Sequence, residues 1–245
     1  MNLLWFVARL LLCLAWILLG LLTIILCYPW AGSAFRGWSK RWWSACLLAL
    51  CGVRTVILGE PRLDGAVLWV VNHVSWIDIF ALNRVRPTAF VAKSEIRNWP
   101  LLGWLVAGAG TIFIERASRH AVHRVGQAMR AQFDKGRVVG LFPEGTTSPG
   151  FDVLPFYANL FEPARRGGAA IQPVALRYFH GDGRSDFAAY VGEETLVQNL
   201  WRVLGGNGVR IEIVFLPPVW SGQADAPARA ELSRLSREAI RQALN

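Results

Sequence analysis

A histidine and an aspartate five residues apart, His73 and Asp78, are the residues of this chain best suited to acid–base chemistry. They lie in the stretch NHVSWID, residues 72–78, directly after the apolar run Ala66 to Val71, which is typical of a buried strand. Residues five apart in a helix lie about 140° apart, so we place His73 in the turn before a helix and Asp78 in its first turns. From there the carboxylate can bind one ring nitrogen and leave the other to accept a proton. The pair therefore predicts a general base that works near neutral pH.

The sequence offers no protein nucleophile to complete a triad with this pair. It contains no G-x-S-x-G elbow. All four cysteines lie in the first 51 residues, inside apolar stretches where they behave as small hydrophobic residues: Cys13, Cys27, Cys46 and Cys51. We predict neither a disulfide framework nor a metal site. A His–Asp base alone indicates that the nucleophile is the substrate, for example an alcohol, although H-x4-D also occurs by chance around structural histidines and Ser75 could equally be a helix N-cap.

Strand-like and helix-like segments alternate after residue 54, which predicts an α/β fold in a single domain. The predicted strands are Thr55–Leu58, Val67–Val71, Ala89–Ala92, Ile112–Ile114, Val138–Phe142, Ala170–Leu176, Phe187–Val191 and Val209–Phe215. Residues 118–135 predict an amphipathic helix with Ser118 as N-cap, Gly136 as the C-terminal stop and one apolar face: Val122, Val125, Met129 and Phe133. A last helix is predicted to open at residues 225–227 and to face inward with Leu232, Leu235 and Ala239.

The first 54 residues predict a membrane anchor. The run from Leu10 to Tyr28 contains no charge and is about as long as a bilayer core requires. A cleaved signal peptide is the alternative, since the small residues AGSA follow; we favour a retained transmembrane helix because the run is long. The next stretch, Arg36 to Val53, carries Trp38, Trp42 and Trp43 beside basic residues, which favours an interfacial helix over the alternative of a core helix.

Positive charge is concentrated in the first half of the chain. Residues 1–135 contain 15 Lys and Arg against 6 Asp and Glu, whereas the remainder contains 11 of each. Arg9 precedes the apolar run and Arg36, Lys40 and Arg41 follow it, so the main domain is predicted on the cytoplasmic side of the membrane. This excess of positive charge is suited to binding anionic lipid head groups or an acidic soluble partner. Nucleic acid is not predicted, and ordinary solvated surface accounts for part of the charge.

Three further segments extend the pattern around the histidine. GTIFIER, residues 110–116, predicts a strand that ends in Arg116. LFPEGTTS, residues 141–148, predicts a strand that ends in a Pro-Glu-Gly turn, and IQPVALR, residues 171–177, predicts an apolar strand with Pro173 near its start. Together with NHVSWID, these segments resemble in type, order and approximate spacing the four motifs of the 1-acylglycerol-3-phosphate O-acyltransferase family. The resemblance covers most of residues 60–180.

The resemblance implies a fold and a reaction. The fold is a mixed, largely parallel sheet flanked by helices, with residues 1–54 as anchor and residues 55–245 as acyltransferase domain. In the reaction, His73 held by Asp78 deprotonates the free hydroxyl of a lysolipid, which attacks the thioester of acyl carrier protein or coenzyme A without an acyl-enzyme or a cofactor. The implied acceptor-binding residues are Arg116, Glu144, Gly145, Thr146 and Thr147, with Pro173 lining a substrate pocket. Glycine at 145 also lets backbone approach a ligand closely.

Three of these residues have a plainer alternative. Arg116 beside Glu115 could form a surface ion pair, Glu144 could cap the next helix, and Pro173 could mark an edge strand. Two other function classes also remain open, a membrane lipid hydrolase in which the same base activates water, and a non-catalytic lipid-binding protein on the same fold.

The chain departs from the family pattern at one position. The third motif usually reads F-P-E-G-T-R-S, and Thr147 stands here in place of the arginine that the family links to the acceptor phosphate. A guanidinium forks onto a phosphate, whereas a threonine hydroxyl offers no charge. Either Arg165, Arg166 or Arg177 compensates, or the acceptor is not lysophosphatidic acid. FPEGTTS followed by VLPF and QPVALRY resembles the bacterial branch that acylates lyso-ornithine lipid, whose head group is an amino acid.

Overall fold

The computed structural model describes residues 2–99, 101–114, 119–222 and 225–245. The helices are α1 (Leu3–Leu26), α2 (Ser33–Leu50), α3 (Asp78–Val85), α4 (Leu102–Gly108), α5 (Arg119–Phe133), α6 (Glu162–Gly167), α7 (Leu196–Gly205) and α8 (Arg229–Leu244). The strands are β1 (Val53–Gly59), β2 (Val67–Val71), β3 (Thr88–Lys93), β4 (Ile112–Ile114), β5 (Val138–Leu141), β6 (Ala170–His180), β7 (Gly183–Arg184) and β8 (Val209–Phe215).

The strands form one mixed sheet in the order β1-β8-β6-β2-β5-β3-β4, with β7 paired to β6. The pairs β1–β8, β2–β5, β2–β6, β3–β5 and β3–β4 are parallel, and β6 pairs antiparallel with β7 and β8. The predicted mixed, largely parallel sheet flanked by helices is therefore confirmed. Because β2 lies in the middle and runs parallel to both neighbours, the turn that follows it opens at the carboxyl edge of the sheet, where α/β proteins bind ligands.

The central strand β2 explains the two layers of helices. All five of its residues are buried, and successive side chains point to opposite faces. Trp69 packs in the core shared with α2, α3 and α7, whereas Leu68 packs in the core shared with α5, α6 and α8. A continuous apolar strand is what a sheet covered on both faces requires.

Two element predictions need correction. Residues Phe187 to Val191 form no strand; this segment is irregular, and its backbone groups bind the side chains of Asn199 and Arg202 and the carbonyl oxygen of Val74 instead of a neighbouring strand. Helix α8 begins at Arg229, later than predicted, with Leu232 fully buried and Leu235 and Ala239 half-buried.

Helix α5 keeps the apolar face that its sequence predicts. Val125, Met129 and Phe133 are buried, and Gly136 ends the helix in the left-handed conformation with φ 63°. Its predicted N-cap, Ser118, lies outside the described residues.

The two N-terminal helices pack on the main domain and leave apolar side chains in solvent. Within the described residues, α1 is the helix long and apolar enough to cross a membrane. Helix α2 buries Leu47 and Leu48 in the core, as the core-helix alternative expects, while Trp38 and Trp42 remain more than half exposed. The Trp-rich stretch therefore has one core face and one exposed aromatic face.

Candidate active site

Asn72 holds the end of β2 in place. Its side chain donates to the carbonyl oxygen of Leu176 at 3.1 Å and accepts from the Leu176 N–H at 2.7 Å, so it replaces a rung of the β2–β6 ladder where β2 turns away. Asn72 is fully buried. Its signal in the sequence was its place directly before His73, but its role as a clamp between strands was not predicted.

His73 and Asp78 meet at the carboxyl end of β2. The distance from His73 Nδ1 to Asp78 Oδ2 is 2.8 Å, and Asp78 is the first residue of α3. The same carboxylate oxygen accepts the backbone N–H groups of Val74 and Ser75 at 2.8 and 3.0 Å. These donors fix the carboxylate inside the turn, and a carboxylate on Nδ1 selects the tautomer whose Nε2 can accept a proton.

Tyr178 completes the surroundings of Asp78. Its hydroxyl donates to Asp78 Oδ1 at 2.5 Å. Burial, together with the neighbouring Asp78 carboxylate, raises the pKa of Tyr178 well above its usual value, so the phenol stays protonated and remains a donor. Asp78 is fully buried, and four hydrogen bonds compensate the desolvation of its charge. Tyr178 lies 100 residues from Asp78 in the chain, and no local sequence signal connects the two.

Glu144 ties the Pro-Glu-Gly turn to the turn that carries the histidine. Its Oε1 accepts the His73 N–H at 2.7 Å and its Oε2 accepts the Leu154 N–H at 2.9 Å. The side chain is 4% exposed. Burial raises the pKa of Glu144, and the two backbone donors oppose this effect only in part. Glu144 therefore bridges two loops, and it caps none of the helices in the described chain.

The rest of the FPEGTTS loop lies beside the histidine. Gly145 has φ 71°, which favours glycine, and the Ser148 N–H donates to the His73 carbonyl oxygen at 2.8 Å. The Thr147 hydroxyl donates to the carbonyl oxygen of Tyr190. Thr146 is exposed. Arg116, the remaining charged residue of the predicted acceptor site, lies outside the described residues.

Pro173 is buried inside the sheet, so the edge-strand alternative is wrong. It pairs with Val70 of β2, and its carbonyl oxygen accepts from Leu216, just beyond the end of β8. The backbone nitrogen of Pro173 has no hydrogen to donate, and it faces β8 just where the hydrogen bonds between β6 and β8 end. A proline therefore fits this position of a central strand.

The three arginines that could replace the missing cation at position 147 are all ion-paired. Arg165 and Arg166 both bind Glu162, whose pKa they lower to about 2, and Arg177 binds Glu212 at 2.7 Å. Each guanidinium already has a carboxylate partner.

An apolar cavity of about 310 Å³ lies between α1, α2, α3, α4 and β3. Its walls include Trp16, Phe80, Phe90 and Leu105. Phe90 stacks on Phe142 with 5.6 Å between ring centroids, and Phe142 stacks on the His73 ring at 4.0 Å. A stack of aromatic rings therefore connects the cavity with the imidazole.

Several known proteins are similar to this chain in sequence. The family model described as Acyltransferase matches residues 54–177. The chain is 41% identical over 206 residues to a lyso-ornithine lipid O-acyltransferase of Pseudomonas aeruginosa, covering 83% of this chain and 77% of the relative. It is 39% identical over 156 residues to a 1-acyl-sn-glycerol-3-phosphate acyltransferase of Neisseria gonorrhoeae, covering 64% of this chain and 61% of the relative.

The fold has a counterpart among solved structures. The crystal structure of the 1-acyl-sn-glycerophosphate (LPA) acyltransferase from Thermotoga maritima matches with a TM-score of 0.70 at 21% identity, covering 99% of this chain and 94% of that chain. At this level of identity the match supports the fold.

Proposed function

The chain belongs to the acyltransferase family, and on this premise we propose that it transfers a fatty acyl group from an acyl thioester to the free hydroxyl of a lysolipid in membrane lipid biosynthesis. The observation that carries the proposal is the His73–Asp78 pair, held at 2.8 Å at the carboxyl end of the central strand. The acyl donor is acyl carrier protein or coenzyme A, and the reaction uses no other cofactor.

The proposed reaction is a direct transfer. His73 Nε2 takes the proton of the lysolipid hydroxyl as its oxygen attacks the thioester carbonyl. The new C–O bond forms, the C–S bond breaks, and the departing thiolate receives the proton from the imidazolium. Asp78 stabilises that imidazolium without accepting its proton. No acyl-enzyme is required, in keeping with the absence of cysteine after residue 51.

The apolar cavity is the proposed site for an acyl chain. Its wall residues Phe80 and Leu105 offer hydrocarbon surface, and an alkyl chain gains about 0.8 kcal/mol for each CH₂ group moved out of water. The stack from Phe90, in the cavity wall, through Phe142 to His73 supports this proposal, because it links the cavity wall to the base through two aromatic rings.

We propose lyso-ornithine lipid as the preferred acceptor. Thr147 carries no charge for a phosphate, and the three candidate arginines are ion-paired. The similarity to the Pseudomonas aeruginosa lyso-ornithine lipid O-acyltransferase supports the same choice. Lysophosphatidic acid is the second candidate, supported by the similarity to the Neisseria gonorrhoeae enzyme.

An acyl-transfer assay with both acceptors tests this choice. Membranes that contain the intact protein and a labelled acyl thioester should acylate lyso-ornithine lipid faster than lysophosphatidic acid, and His73→Ala should abolish both. Thr147→Arg is expected to shift the ratio toward lysophosphatidic acid about tenfold, since hydrogen bonds to charged groups are worth about 1.5–3 kcal/mol.

Other outcomes of this assay point to different functions. Transfer to lysophosphatidic acid alone would contradict the proposed acceptor. His73-dependent release of free fatty acid without an acceptor would favour a hydrolase, and lipid binding without turnover would favour a non-catalytic protein.

We further propose that residues 1–54 attach the protein to the cytoplasmic side of the inner membrane. Helix α1 contacts the rest of the chain along its length: the Asn2 N–H donates to Gly205, Arg9 donates to the Leu204 and Gly206 carbonyl oxygens, and Ile24 packs on Gly108. Contacts at both ends favour a helix that lies along the domain in the plane of one leaflet, in place of the transmembrane helix that the sequence predicts. The outward faces of α1 and α2 then supply the apolar surface.

Natural cysteines test this packing of α1. Cys13 of α1 and Cys51 at the end of α2 have sulfur atoms 3.9 Å apart. With Cys27 and Cys46 replaced by serine, a mild oxidant is expected to join Cys13 and Cys51 in membrane-bound protein, as peptide mass spectrometry would detect. Cys13→Ser is the matched control. Two free thiols after oxidation in a folded, active protein would contradict a helix packed against the domain.

A further inference from the structure

The irregular segment around Tyr190 touches both loops of the candidate active site. The Tyr190 N–H donates to the carbonyl oxygen of Val74, the residue after His73, at 2.9 Å. The Tyr190 carbonyl oxygen accepts the hydroxyl of Thr147. Residue 190 is thus bonded on one side to the turn of the base and on the other to the loop that the resemblance links to the acceptor.

Side chains of helix α7 hold the segment around Tyr190 in place. The Ala189 carbonyl oxygen accepts from Asn199 Nδ2 at 2.9 Å and from Arg202 Nη2 at 2.7 Å. Asn199 is fully buried, and its Oδ1 accepts the indole N–H of Trp76 at 2.9 Å. Because Trp76 belongs to NHVSWID, one polar network positions both the catalytic turn and the backbone of residue 189.

We propose that Tyr190 contacts the head group of the acceptor and, together with Thr147, determines which head group is accepted. This inference rests on the proposed acyl transfer. The Thr147 hydroxyl is bonded to the backbone of residue 190, so the two residues are immediate neighbours beside the turn that carries the base.

The chemistry of tyrosine fits an amino-acid head group. The Tyr190 side chain is half-buried, and within the described part of the chain its phenol hydroxyl has no protein partner. A phenol donates a hydrogen bond to a carboxylate, and its ring face attracts an ammonium group. Both functions are present on one zwitterionic head group, whereas a phosphate is better bound by a guanidinium.

Steady-state kinetics of Tyr190→Phe and Tyr190→Ala test the inference. We expect Tyr190→Phe to raise KM for lyso-ornithine lipid about two- to tenfold, the equivalent of one hydrogen bond, and Tyr190→Ala to raise it further. KM for the acyl thioester should stay within twofold in both variants. The matched control is Val197→Ala, a 71% exposed position on α7, which should change neither constant.

The outcomes separate this inference from the proposed function. If wild-type protein transfers acyl groups and both variants keep the wild-type KM for the acceptor, the role of Tyr190 is overturned and the proposed function is not. An equal fall of kcat for both acceptors, with a lower Tm and unchanged KM, would show a structural role and overturn it as well. Wild-type protein inactive with every acceptor would overturn both proposals. Tyr190→Phe retains the ring, so it carries the test if Tyr190→Ala does not fold.

Discussion

Asp78→Asn is expected to lower kcat by about 10²- to 10⁴-fold while the protein stays folded, because the negative charge that supports the His73 imidazolium is lost. An amide oxygen at the Oδ2 position can still accept the N–H groups of Val74 and Ser75 and the hydrogen on His73 Nδ1. The NH₂ group then faces the Tyr178 hydroxyl. The amide carries no negative charge, so it no longer stabilises the imidazolium that forms when His73 takes the proton of the acceptor hydroxyl.

Single-turnover acyl transfer with saturating acceptor would measure this effect, and Tyr178→Phe is the matched control. The phenylalanine removes one donor from Asp78 but keeps the contact with His73, so a loss of about tenfold or less is expected from one missing hydrogen bond to a charged group. Equal losses in Asp78→Asn and Tyr178→Phe would argue that Asp78 acts through folding. An Asp78→Asn variant with wild-type kcat would exclude the proposed base.

The sequence predicted the parts of the site that lie close together in the chain. His73 and Asp78 are five residues apart, so the geometry of one turn limits where the carboxylate can lie. The contacts of Tyr178 with Asp78 and of Asn72 with Leu176 join residues 100 and 104 positions apart. These contacts depend on β6 lying beside β2, which the apolar pattern of either strand does not specify.

The same limit explains the misassigned segment at residues 187–191. Phe187 to Val191 reads as an apolar strand, and Ala188 and Ala189 are indeed buried. Hydrophobic pattern reports burial, whereas a strand also requires a neighbouring strand for its hydrogen bonds. Here Asn199 and Arg202 supply donors in place of that neighbour.

Arg9 has a role in the tertiary structure that its position in the sequence does not indicate. In the sequence it flanks an apolar run and counts toward membrane orientation. In the structure its guanidinium donates to the carbonyl oxygens of Leu204 and Gly206 at the end of α7. Those carbonyl groups lack partners within the helix, and a cation there also complements the helix dipole.

Glu144→Ala is expected to have the largest effect on stability, a loss of about 2–5 kcal/mol in the free energy of unfolding. The variant leaves the part-buried N–H groups of His73 and Leu154 without their acceptor, and each such loss costs about 1–3 kcal/mol. Activity should fall as well, because the His73 backbone loses its connection to the FPEGTTS loop. Thermal unfolding of the detergent-solubilised protein would measure the loss. The matched control is Glu162→Ala, because the Glu162 carboxylate binds two surface arginines. Equal losses in the two variants would contradict a special role for the bridge.

The pH dependence of Glu144→Gln gives an independent test of the same bridge. Burial raises the pKa of Glu144 above its usual 4.5, so the folded state binds this proton more tightly than the unfolded state. Stability from the protonated carboxyl is fully present below pH 4.5 and is lost as the pH rises through the folded-state pKa. Glutamine cannot ionise, so wild-type protein should lose stability relative to Glu144→Gln as the pH rises from 4.5. A difference between the two that stays constant with pH would mean that the backbone donors fully compensate the buried charge, and that Glu144 stabilises the two loops as a carboxylate at every pH above 4.5.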